Sequence, residues 1–140
     1  MKDFLLDYSN SREALLDEDL AKLGDALANL IYSLARSRAR GRPDGAKAPN
    51  RVLSGALDKV GLRNLAPSRV DRHRLGDVAE AAIAFAWLEG EVGIEEAAEV
   101  VSGPLMERDF ESRRDVQEGA EEGFKELLRL VAGRLGLEGV

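Results

Sequence analysis

Between Val78 and Leu88 every residue except Glu80 is apolar. A helix built from this run is hydrophobic on all sides, so other elements must cover it from every direction, and it is expected to be the central element of the fold. Ala, Leu, Glu and Arg are abundant, β-branched residues are sparse, and no strand-like alternation occurs anywhere. These features predict an all-α domain. Glu80 is the exception within the run. A carboxylate on a buried helix must be capped, paired or metal-bound to be tolerated. Asp77-x-x-Glu80 before an apolar run is also the pattern of a capping box, in which Asp caps the helix and Glu reaches back. Both explanations fit the residues.

A second stretch, from Asp17 to about Arg38, has Leu20, Leu23, Leu27, Leu30, Ile31 and Leu34 at the spacing of an amphipathic helix with one buried stripe. On the far side Ala21, Gly24, Ala28 and Ala35 form a seam of small residues, beside a polar strip of Glu18, Lys22, Asp25 and Asn29. Glycine inside a helix costs about 1 kcal/mol against alanine, so Gly24 predicts close approach by another backbone. Asp25 then stands at the lip of that contact. The simpler alternative is a solvated Asp25, with Lys22 pairing to it and to Glu18. If the two helices cross near Gly24, the carboxylates of Asp25, Asp77 and Glu80 converge. Such a set suits a hard divalent cation such as Mg²⁺, which can activate water and stabilise the charge that develops in phosphodiester hydrolysis. Glu18, on the same stripe as Asp25, is a possible outer ligand.

The remaining segments are short. Residues 4–16 read as one or two short helices, with Phe4, Leu5, Tyr8, Leu15 and Leu16 available to a core and Ser11 or Asp17 as N-caps. Arg40 to Pro49 is a basic Gly- and Pro-containing loop with no apolar period to anchor it, expected to be mobile. A helix from Arg51 to Val60 follows, with Asn50 at or before its cap and Gly61 at its exit. Ser68 to Asp71 has capping character, and whether a helix runs on through Gly76 or restarts at Asp77 is open. Helices at Ile94 to Val101 and from about Val116 to Leu135 complete the chain, separated by a break at Ser102-Gly103-Pro104.

The 140 residues suit a single domain, 1–140, with enough chain for one core. Cysteine is absent, which excludes disulfides, zinc-thiolate sites and thiol catalysis and fits a reducing compartment. Acids interrupt the N-terminal apolar residues before a signal core can form, and no apolar run approaches bilayer length, so a soluble, cytoplasmic protein with no membrane partner is expected. The net charge is −6 but unevenly spread. From Arg36 to Arg74 there are eleven Lys or Arg and three acids, so this middle carries +8 and the flanks −14. That asymmetry points to a polyanion, with Arg36, Arg38, Arg40, Arg42, Lys47, Arg51, Arg72 and Arg74 as candidate phosphate contacts. The lone His73, between two arginines, reads as a surface residue or phosphate contact rather than a catalytic base.

Two separated motifs resemble the ribonuclease III family. The signature helix of that family contains Glu-x-x-x-Gly-Asp-Ala or a close variant, and Leu20-Ala21-Lys22-Leu23-Gly24-Asp25-Ala26-Leu27 is similar to it, placing Asp25 on the catalytic aspartate. The second motif, Asp-x-x-Glu-Ala-x-Ile-Gly-Ala-x-aromatic-Leu-acid, is similar without gaps to Asp77-x-x-Glu80-Ala81-x-Ile83-Ala84-x-x-Trp87-Leu88-Glu89. The resemblance covers roughly residues 17–90 and weakens through the C-terminal helices at 94–136. It implies an all-α endonuclease domain, a homodimer, Mg²⁺ or Mn²⁺, and double-stranded RNA as substrate, with Asp25, Asp77 and Glu80 catalytic. The length is more similar to the Mini-ribonuclease III kind, which lacks an appended double-stranded-RNA-binding domain, and Lys47-Ala48-x-x-Arg51-Val52-Leu53-Ser54 is loosely similar to its middle region. One departure stands out: where larger members carry a metal-binding glutamate four residues before the aspartate, this chain has Ala21.

The leading expectation is a metal-dependent endoribonuclease acting on double-stranded or structured RNA. A non-catalytic RNA-binding or scaffolding module with the same fold is the alternative, favoured by Ala21 and disfavoured by the retained acids. A helical dimer whose basic middle is merely solvated is the third reading.

Overall fold

The computed structural model describes Tyr8, residues 11–62 and residues 72–137, and leaves the side chains of Arg72 and His73 outside its scope. Among these residues the fold is all-α, with six helices and one 3₁₀ turn. The helices are α1 (Ser11–Leu15), α2 (Glu18–Arg40), α3 (Asn50–Lys59), α4 (Arg72–Leu88), α5 (Ile94–Ser102) and α6 (Arg113–Leu135), and the 3₁₀ turn spans Gly103–Leu105. Of the one or two short helices expected over residues 4–16, residues 4–7, 9 and 10 lie outside the described residues, as do the caps at 68–71.

α4 is the centre, as its all-round hydrophobicity predicts. It packs against α1, α2, α3 and α6, while α5 closes the side formed by α2 and α6. From Val78 to Ala86 every residue of α4 is buried, Glu80 included. Five alanines in this span keep the helix slim, and bulk comes from the neighbours: Phe124, Leu127 and Leu128 of α6, Ile31 of α2, and Leu53 and Leu57 of α3 are all essentially inaccessible. Tyr32 and Phe124 pack with ring centroids 6.0 Å apart.

Local chemistry sets the ends of the two longest helices. Asp17 caps α2, its Oδ1 accepting from the backbone N–H groups of Asp19 at 2.9 Å and Leu20 at 3.2 Å. At the far end Gly41 takes φ 71°, and the N–H groups of Gly41 and Arg42 return to the Ser37 carbonyl. Ser112 caps α6, which stops at Gly136 with φ 70°.

One open question closes and two expectations change. α4 runs unbroken through Gly76 from Arg72, so Asp77 lies inside the helix rather than at its N-cap, and Asp77-x-x-Glu80 is not a capping box. In α2 the buried face contains the small seam, Ala21, Gly24, Ala28 and Ala35, whereas Leu30 and Leu34 of the leucine stripe remain 47% and 39% exposed. Small residues let α4 and α5 come close, and closeness places them inward despite their weak hydrophobicity. The second change concerns residues 42–49. Instead of being mobile, this segment is tied to α2 at Asp44, Ala46 and Ala48 by side chains of Ser37, Ser33 and Asn29. These anchors are polar, so a search for apolar period misses them.

Candidate active site

α2 and α4 cross where α2 has no side chain. A Cβ on Gly24 would collide with the carbonyl oxygen of Glu80, so the two backbones meet in direct contact. The next residue on α2 is Asp25. With Glu80 directly across the contact, and Asp77 one turn earlier on α4, all three acids line one cavity of about 470 Å³. Glu18, Ala21, Lys22, Lys47, Ala48, Asn50 and Leu53 complete its wall. Asn50, the first residue of α3, fits there because Gly76 leaves its amide room.

Glu80 is the anomalous group. Only 5% of it is exposed, and its Oε2 is buried with no hydrogen-bond partner. Burial, a hydrogen bond to Asp25 and the negative charges of Asp25 and Asp77 push its pKa up to about 8, while the Lys47 ammonium pulls the other way. Two ionised carboxylates cannot hydrogen-bond each other, so the Glu80–Asp25 contact requires one proton on the pair, and burial favours placing it on Glu80. Asp25 is itself oriented from within α2, accepting from Asn29 Nδ2 at 3.4 Å. Lys22, the expected partner of Asp25, instead pairs weakly with Asp19 at 3.9 Å in full solvent.

Glu18 reaches the cavity rim but is 80% exposed and pairs with Arg74 at 3.6 Å. Among the described residues no three Asp, Glu or His side chains are gathered closely enough to hold a metal ion as they stand. Like charges without a cation between them separate or share a proton, and Glu80 does the latter. The donor set nevertheless fits a hard divalent cation. It consists of carboxylate oxygens, one of them buried and unpartnered, on two helices whose contact is fixed by the backbone.

The basic residues divide into groups. Arg36 and Arg40 are committed to Asp44, each with a contact of 3.0 Å, and both guanidinium groups stack on Phe110. Burial alone would raise the Asp44 pKa, but the Arg40 hydrogen bond and the Arg36 charge hold it below the ordinary carboxylate value. Arg38 lies 3.9 Å from Glu99. Arg74 donates to the Leu16 carbonyl at 3.1 Å and pairs with Glu18. Arg42 is exposed, and Arg51 lines a second cavity with Arg113 and Arg114. Among the described side chains, Lys47 alone of the expected phosphate contacts lines the acidic cavity. Asn29 and Asn50 were not expected at the site. Asn29 had a detectable signal, one turn after Asp25 on the polar strip, whereas Asn50 joins the cavity only through the packing of α3 on α4.

Among the described residues no helix is long and apolar enough to cross a membrane. No curated protein matches the chain. Residues 18–137 match the family model described as Ribonuclease III, a span that includes α5 and α6, where the motif resemblance is weak.

Proposed function

Because the chain belongs to the ribonuclease III family, we propose that it is a metal-dependent endoribonuclease that hydrolyses phosphodiester bonds of double-stranded or structured RNA. The observation that carries this reading is Glu80. A buried carboxyl with an unpartnered oxygen, opposite Asp25 across a backbone contact and beside Asp77, is costly for a fold that needs only packing.

Asp25, Asp77 and Glu80 would hold Mg²⁺ or Mn²⁺, with Glu18 at the rim as an outer participant. When bound there, the ion supplies Lewis-acid polarisation of a phosphoryl oxygen and lowers the pKa of a water molecule. Glu80 would have to give up its proton to serve as a ligand, and Asn29 keeps Asp25 turned toward the cavity. Exposed arginines such as Arg42 and Arg51 contact phosphates without reading sequence. Leu30 and Leu34, one turn apart and open on α2, offer the apolar surface on which a second copy would sit.

Cleavage of double-stranded RNA in Mg²⁺ or Mn²⁺ tests the reading directly. Asp25→Asn and Glu80→Gln should each lower the rate on the order of 100-fold or more. Equal activity in the parent and both variants would sink the assignment. The competing reading is an RNA-binding module without catalysis, and Ala21, which removes one acid from the cavity wall, is the residue that favours it. A metal titration in the absence of RNA separates the two readings, because a pure binder needs no divalent-ion site.

A further inference from the structure

We propose that Lys47 is a substrate-positioning residue, delivered to the acidic cavity by a rigid arm on α2, and that its ammonium binds a phosphate oxygen of the RNA beside the carboxylates. The identity of the ligand rests on the nuclease reading; the arm itself does not.

The arm is residues 44–48. On α2, Asn29, Ser33 and Ser37 recur every fourth residue, a rise of about 6.0 Å per step. In an extended chain alternate residues advance about 6.6 Å. The two spacings nearly match, so one row of helix side chains can hold alternate residues of an extended segment. Ser37 Oγ accepts from Asp44 N at 2.9 Å. Ser33 Oγ accepts from Ala46 N and donates to Ala46 O, both at 2.9 Å. Asn29 Oδ1 accepts from Ala48 N at 2.8 Å.

Both ends are fastened as well. Asp44 is clamped by Arg36 and Arg40, while Ala48 is buried and Pro49 is the N-cap of α3. Residues on the even positions therefore face α2, and Gly45 and Lys47 face outward. Lys47 is thereby held on the wall shared with Asp25, Asp77 and Glu80.

A lysine among acids would normally form an ion pair, yet Lys47 makes none among the described residues and remains exposed. The other cation on this wall, Lys22, is 82% exposed and turned to Asp19. An ammonium carried on an anchored backbone, in no ion pair among the described residues although its charge is felt at Glu80, suits a phosphodiester, to which lysine binds as a compact point charge. Asn29 links the two halves of the device, since the same amide that holds the arm at Ala48 also orients Asp25.

The test uses the full chain and a double-stranded RNA oligonucleotide. Binding is measured against salt concentration in EDTA, and cleavage is measured separately in Mg²⁺ or Mn²⁺. Lys47→Met should reduce the slope of log K against log salt by about one unit and lower kcat at least tenfold, with a smaller change in KM. Lys47→Arg should restore the slope but not the full kcat. Ser33→Ala loosens the arm without altering charge, so it should keep the slope and lower kcat. An unchanged slope and kcat in Lys47→Met would overturn the proposal while leaving the nuclease reading intact. If the parent binds RNA without cutting it and Lys47→Met still loses one unit of slope, the contact stands and the nuclease reading falls. If the parent binds no RNA, both are overturned.

Discussion

The carbonyl oxygen of Glu80 occupies the space that a side chain at Gly24 would need. Alanine is the better helix former by about 1 kcal/mol, so in an open helix Gly24→Ala would stabilise. Here the obstruction is backbone rather than a flexible side chain. The substitution should instead cost about 1–3 kcal/mol in urea denaturation and separate Asp25 from Glu80, reducing divalent-ion affinity in the same variant. A more stable Gly24→Ala protein would show that the helices do not meet there.

Glu80 makes the metal-free protein sensitive to alkali. Its folded pKa of about 8 exceeds the ordinary value of 4.5, so the folded state binds the extra proton between these two values. Its contribution to stability is therefore fully retained below pH 4.5 and lost as pH rises toward 8, at up to about 1.4 kcal/mol per pH unit. Denaturation in EDTA across this range should show the decline, and Glu80→Gln should flatten it. Divalent-ion affinity should rise over the same interval, because binding displaces that proton. A flat parent profile would contradict the protonated Glu80–Asp25 pair.

Asp44→Asn should leave Arg36 and Arg40 facing each other without their shared counter-ion. The expected cost is about 1–3 kcal/mol, since both partners are largely but not wholly buried. Because the folded pKa of Asp44 lies below its ordinary 3.8, its stabilisation is present above that value and lost as pH falls through the lower folded one. Comparing acid unfolding of parent and variant checks the sign: the parent alone should lose this increment at the acid end.

Leu30→Asp combined with Leu34→Asp should weaken self-association without harming the monomer, because both side chains are exposed in the single chain. Burial of two leucines supports a shift in the dimer dissociation constant on the order of 100-fold or more. Analytical ultracentrifugation provides the readout. A monomeric parent, or a dimer indifferent to both substitutions, would remove the proposed homodimer.

The central position of α4 was legible because an all-round apolar helix has no alternative place, and Gly24 was legible because a helix-interior glycine needs a reason. The facing of α2 was legible only in part. Leu20, Leu27 and Ile31 of the apolar stripe are buried, but so is the small seam of Ala21, Gly24 and Ala28, where van der Waals closeness counts for more than hydrophobicity, while Leu30 and Leu34 stay exposed. The reason for a glycine at position 76 inside α4 lies in a contact distant in sequence, the Asn50 amide that fills the space a Cβ would take. The sequence of the arm at 44–48 looks loose for a similar reason. Its anchors, Asn29, Ser33 and Ser37, look like an ordinary solvated strip until something docks on them.

The commensurate spacing of helix and arm places an unusual demand on chain length. Removing one residue between Asp44 and Ala48 would invert the arm, turning the lysine against α2 and presenting a methyl group to the acids, whereas removing two would preserve the facing and shorten the reach. The segment should therefore tolerate many changes of side chain at Gly45 and very few changes of length. In a connection between helices, usually the part of a fold most forgiving of insertions, length itself becomes a functional property.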